Sequence, residues 1–212
     1  MKELDLLKKA WQKDIHPFEQ VTEFDIYKML HNKSSSVVRW ILIISIIEFL
    51  FWTLTSVLFN TDDYMHKLHA ENLIIYFKVA NGINYVVILW FIFCFYKNYI
   101  KISTTEATKQ LMKNIIKTRK TVQFYVWYNL SMITLSFFTG LVMAYAYNPK
   151  MEGIKYKIAH ESNHQTLLII VGIVIVASVV FVGLFWLFYR LLYGILLSKL
   201  KTNYKELKKI DL

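Results

Sequence analysis

Two short stretches carry the residue types that most often bind metals. "HKLH" (His66, His69) and "HESNH" (His160, Glu161, His164) hold four of the chain's six histidines. The first pair is spaced i, i+3 and the second i, i+4, so on a helix each pair turns both imidazoles to one side. Four neutral imidazoles, with Glu71 or Glu161 beside them, would suit zinc, copper or iron. That chemistry would make the protein a metal-dependent membrane enzyme or a metal sensor. The plainer reading is ordinary loop histidines, because two-histidine pairs are weak motifs.

A different chemistry attaches to Glu48, which sits in an otherwise apolar stretch and shares a helix face with Ser45, Trp52 and Thr55. It lies about eleven residues from either end of that stretch, near mid-bilayer, and Asn81 and Asn84 of the next apolar stretch reach comparable depth. Lys78 can snorkel outward or approach the acid. An intramembrane carboxyl is a transporter or proton-site residue by default. The competing expectation is a protonated glutamate hydrogen-bonded to asparagine, holding helices together. No second acid or basic relay crosses the bilayer, which favours that structural reading. There is no glycine-rich phosphate loop, no G-x-S-x-G and no cysteine pair, so no cofactor is expected beyond such a metal.

Four apolar blocks must position these residues: 37–59, 73–96, 122–147 and 167–189. Each exceeds the ~20 residues that a helix needs to cross ~30 Å of hydrocarbon. Lipid offers no partners for open backbone groups, so helices are the expected form. The fold class is an all-α integral membrane protein, a four-transmembrane-helix bundle with short cytosolic helical extensions. Residues 1–36 form a cytosolic amphipathic segment, 37–200 the membrane domain and 201–212 a basic tail.

The net charge of +10 is unevenly placed, with 18 Lys and Arg in 1–36, in 97–121 and after Leu197 but four in 60–72 and 148–166. Basic flanks mark the cytoplasmic side. Both termini are therefore expected inside a bacterial inner membrane, and both histidine stretches outside. Topology and anionic lipid account for the basic excess, and nucleic acid is not an expected partner. The polar first 36 residues also argue against a cleavable signal.

Leu4, Leu7 and Trp11 line one face of an opening helix, suited to lying on the membrane or to docking a cytosolic protein. Thr22 with Asp25, and Ser103 with Glu106, are spaced as capping boxes. Leu111, Ile115 and Thr118 form one face of the helix entering the third span. Trp40, Trp90, Phe124, Tyr125, Trp127, Trp186 and Tyr189 crowd the inner ends as an interfacial belt. Ser136, Gly140 and Ala144 make a small-residue ridge for a helix of the same chain or of a second copy, a homo-oligomer. From Leu167 to Leu200 a helix would reach ~50 Å, so a break is expected near Arg190, followed by a tail hugging the inner surface. Cys94 is the sole cysteine and excludes an intramolecular disulfide.

The opening "ELDLLKKAWQ" and the entry "IYKMLHNKSSSVVRWI" resemble small four-span inner-membrane proteins of flavobacteria, some of which carry a β-carotene monooxygenase name. Some of those proteins are neighbours of sigma-factor genes. The resemblance implies a membrane regulator, acting with a cytosolic partner through the N-terminal segment. That is the leading expectation, ahead of the outer-histidine metal site and a small transporter using Glu48.

Overall fold

The computed structural model describes residues 22–59, 63, 65–66, 70–105, 107–153, 155–156 and 164–210. The docking residues Leu4, Leu7 and Trp11 lie outside the described residues. Among those described, the chain is helical without strands. α1 is Glu23–Leu58, α2 is Ile74–Ser103 behind a 3-10 turn at Glu71–Leu73, and α3 is Thr108–Tyr147. α4 (His164–Tyr189) runs through a π-helical turn, Arg190–Gly194, straight into α5 (Ile195–Ile210).

Four continuous rods, Glu23–Leu58, Glu71–Ser103, Thr108–Tyr147 and Leu168–Lys209, are long and apolar enough to cross a membrane. The build is that of a multi-pass membrane protein. The rods hold 33 to 42 residues each, against the ~20 that a bilayer asks for. Nearly all the surplus lies at one end, where residues 23–36, 97–121 and 190–209 come together.

That basic end is a folded platform. Leu30 of α1, Ile102 of α2, Leu111 and Ile115 of α3, and Leu200 and Leu207 of α5 are all buried there. These six side chains sit outside the apolar blocks, so water is the competing solvent. Burying each one then stabilises the fold by about 1.5–3 kcal/mol. Thr118 completes the inward face of α3 that its spacing indicates. Polar bonds cross the same interface: Asn203 Nδ2 donates to Ser34 Oγ at 3.0 Å, Tyr27 Oη donates to the Thr105 carbonyl at 3.0 Å, and His31 Nε2 lies 2.8 Å from the Ile102 carbonyl.

Helix ends follow the local sequence in one case and not in the other. Thr22 and Asp25 form the reciprocal capping box that starts α1. Ser103, by contrast, is the last residue of α2, and α3 begins only at Thr108, with no side-chain cap from Ala107. The hydroxyls of Thr104 and Thr105 fold back onto the Ile100 and Lys101 carbonyls, which competes with a helix start at Ser103. Glu106 lies outside the described residues.

The expected surface-hugging tail is also corrected. Leu200, Asn203 and Leu207 repeat on one face, and that face is buried against α1 and α3. A stripe of apolar residues among lysines serves a helix neighbour as well as it serves a membrane surface.

Away from the platform the helices are mostly exposed, as Leu168, Ile169, Ile173 and Val176 of α4 illustrate. There α4 leans on α3 through the stacked Phe137 and Phe181 rings, 4.3 Å apart. Of the ridge at Ser136, Gly140 and Ala144, the first two are exposed and Ala144 is half-buried, and a Cβ built on Gly140 meets nothing within 4 Å.

Candidate functional site

Glu48 is the one acidic side chain buried among the described residues, and three tyrosines converge on it. Tyr125 Oη donates to Oε2 at 3.0 Å, Tyr193 Oη donates to the same oxygen at 2.9 Å, and Tyr189 Oη donates to Oε1. The three phenols come from α3, the end of α4 and the π turn, so the carboxyl ties α1 to the third and fourth rods.

Local structure explains how the tyrosines arrive. Residues 189 and 193 straddle the start of the π turn, and its wider winding leaves positions four apart more nearly in line than an α-helix would. The two rings stack at 18° with centroids 6.1 Å apart. Tyr125 is held edge-on by Phe91 and Phe95, each at 5.3 Å, and by Tyr193 at 5.7 Å. The fixed rings leave each hydroxyl little choice of partner. Asn129 Nδ2 donates to the Tyr125 carbonyl at 3.0 Å, one turn back on α3.

The chemistry of this arrangement follows from counting donors. An ionised carboxylate has about four acceptor positions and can take all three phenol protons. A protonated carboxyl must place its own hydrogen, and one phenol then accepts where it had donated. The ionised state lets all three phenols donate as they stand, whereas protonation displaces one phenol hydrogen, which must then turn to a neighbouring hydroxyl. A groove of about 280 Å³ between α3 and the π turn reaches the backs of Tyr189 and Tyr193, lined in part by Gln123, Trp127, Trp186 and Arg190.

Several expectations change here. Glu48 bonds tyrosine, not asparagine: Asn84 accepts from Tyr128 Oη at 2.9 Å, while Asn81 and Lys78 are exposed on α2. Glu48 also stands beside Tyr125 and Tyr189, at the inner ends of the third and fourth apolar blocks, so the midplane depth taken from its own block is not kept. Tyr125 and Tyr189 leave the interfacial belt for the core. Trp40, Trp90, Phe124, Trp127 and Trp186 remain exposed as a belt requires. Trp52 is exposed beside Phe185, and only Ser45 joins Glu48 as a buried residue of that face.

Of the histidines, His66 lies with Nδ1 2.8 Å from Glu71 Oε1, both side chains more than half exposed. His164 opens α4, whereas His69, His160 and Glu161 lie outside the described residues. Among the described residues no three His, Cys, Asp or Glu side chains group as metal ligands.

Residues 24–212, which include Glu48, its three tyrosines and the whole platform, match the model of a family described as a domain of unknown function, DUF8845. The chain belongs to the DUF8845 family. No curated protein and no solved structure matches it. The DUF8845 match starts just inside α1 and so takes in every element that meets at the carboxyl.

Proposed function

We propose that this DUF8845 protein is a non-enzymatic membrane regulator or scaffold that presents a helical platform to a soluble partner. The observation that carries the reading is the surplus helix length, folded around its own water-excluding core at the basic end. Crossing a bilayer needs none of that structure. In this reading the basic end faces the cytoplasm of a bacterial inner membrane, with both termini inside, because 18 basic residues flank that end against four at the other. The N-terminal segment with Leu4, Leu7 and Trp11 provides the partner contact, and the flavobacterial resemblance supplies sigma-factor-linked signalling as one form of it. Crosslinking in native membranes tests the idea: full-length protein should capture a cytosolic protein that a variant lacking residues 1–18 inserts normally but fails to capture. If full-length protein captures nothing above background, the reading falls.

Glu48 favours a second reading, a proton-linked role such as that of a small transporter. Its support is a buried carboxyl enclosed by three phenols beside a π turn, a feature frequent at functional sites. Loss of all function in Glu48→Gln, with normal expression and thermal stability, would favour it over the scaffold. Full function in that variant would remove it.

A further inference from the structure

Between α1 and α5, beside the Asn203–Ser34 bond, lies a groove of about 790 Å³. Its walls carry Lys33 from α1 and Lys199 from α5, together with Ser36, Ser198 and Thr202. Both lysines are exposed, and neither has an acidic partner among the described residues, where the sole ion pair is His66 with Glu71. Two cations and three hydroxyls around one hollow offer charge and directed donors to a phosphate.

The groove does not end there. Ile195 and Ser198 also line an adjoining hollow of about 410 Å³ that continues over Leu191 and Leu187, with Arg190, whose guanidinium lies over the Trp186 ring, at its edge. These two leucines and Ile195 are exposed. From Lys199 back to Leu187 the rod rises ~18 Å, about the depth of one leaflet. Val37, which begins the first apolar block, lines the polar hollow together with Ile195, so on this side the hydrocarbon extends past the fourth apolar block to about Ile195, with the lysines at headgroup level and the leucines below them. The cationic, hydroxyl-rich part therefore meets the water side and the apolar part meets the acyl side.

We propose that this groove is a binding site for one anionic phospholipid, its phosphate between Lys33 and Lys199 and an acyl chain along Ile195, Leu191 and Leu187. A soluble phosphate would use only the polar half and leave the leucine track uncovered. A zwitterionic lipid would bring its own cation up against the two lysines, which an anionic one does not. The occupant joins α1 to α5, the two helices that carry much of the platform core, so it would brace the platform from the membrane.

The experiment uses full-length protein in a neutral detergent, titrated with phosphatidylglycerol and read by native mass spectrometry and by melting temperature. One phosphatidylglycerol per chain is expected to remain bound and to raise the melting temperature, with phosphatidylcholine retained at least tenfold more weakly. Each lysine beside an anionic headgroup contributes about fivefold, so Lys33→Gln with Lys199→Gln should weaken retention about thirtyfold. The paired control, Lys109→Gln with Lys113→Gln, changes exposed basic residues of α3 outside the groove and should stay within about twofold. Leu191→Trp, which narrows the track without touching charge, should also weaken retention. Equal retention by the double-lysine variant, an equal loss in the control, or the same stabilisation by inorganic phosphate alone would each overturn the assignment.

Discussion

Replacing Glu48 with alanine removes the acceptor for three phenol protons at once, and each of those tyrosines is 1% exposed. A buried donor left without a partner costs about 1–3 kcal/mol where water is the alternative. Within a membrane the unfolded reference also finds partners, and hydrogen bonds between helices average about 0.6 kcal/mol. Tyr193 lies against both Tyr125 and Tyr189, so some hydroxyls can pair among themselves. Three bonds at about 0.6–1.5 kcal/mol each give an expected loss of about 2–4 kcal/mol for Glu48→Ala. Glu48→Gln keeps one carbonyl, which accepts two of the three phenols, and its amide must donate to the third. That variant should fold and lose about 1 kcal/mol, close to each single Tyr→Phe change. Reversible unfolding in mixed micelles, titrated with a denaturing detergent, measures these differences. Cycles pairing Glu48→Ala with Tyr125→Phe, Tyr189→Phe or Tyr193→Phe should show coupling of about 0.5 kcal/mol or more. If Glu48→Ala unfolds within about 0.5 kcal/mol of the parent, or if the tyrosine losses persist unchanged in its background, the carboxyl is not what joins the rods.

The platform offers a comparison in which water, not lipid, is the solvent. Leu200→Ala should cost about 2–5 kcal/mol and expose the end of α5 to protease while the spans stay inserted; unchanged proteolysis would show that α5 does not depend on that core. Gly140→Ala should be tolerated or stabilising by about 0.5–1 kcal/mol in the monomer, since the added methyl meets open space. A drop in oligomer size with that substitution, seen by crosslinking, would instead mark the ridge as a contact between copies. With Cys94 replaced by serine, Gly153→Cys should react with an impermeant thiol reagent in cells with a permeabilised outer membrane, and Lys109→Cys should not. The reverse pattern would invert the orientation argued from the basic flanks.

The four rods were legible because apolar blocks longer than a bilayer's thickness leave few alternatives, and the inner face of α3 because Leu111, Ile115 and Thr118 keep helical spacing into the core. Glu48 was legible as a residue that needs company. Its company was not. A tyrosine at the end of an apolar block has the same composition whether it faces headgroups or a carboxylate, and only packing against Phe91 and Phe95 separates the two for Tyr125. Tyr189 and Tyr193 were further hidden because Arg190 between them looked like the end of a span. Its guanidinium instead lies over the Trp186 ring, 4.9 Å from the centroid, and the helix continues. The asparagines offered nearer candidates in sequence logic, yet Asn84 is engaged by Tyr128.

The partners of Glu48 lie 77, 141 and 145 residues further along the chain. A ribosome adding about 5–20 residues per second needs about 7–30 s to make the last of them. Until Tyr125 is made, 77 residues on, the acid of α1 has none of the phenols that later enclose it, and until Tyr189 and Tyr193 follow it has only that one. The first helix must therefore wait with its carboxyl neutralised, wetted or shielded by the insertion machinery, and only the arrival of the fourth rod closes the site. Closure of the carboxyl site is thus ordered in time, and the tyrosines of the fourth rod are the last of its parts to be made.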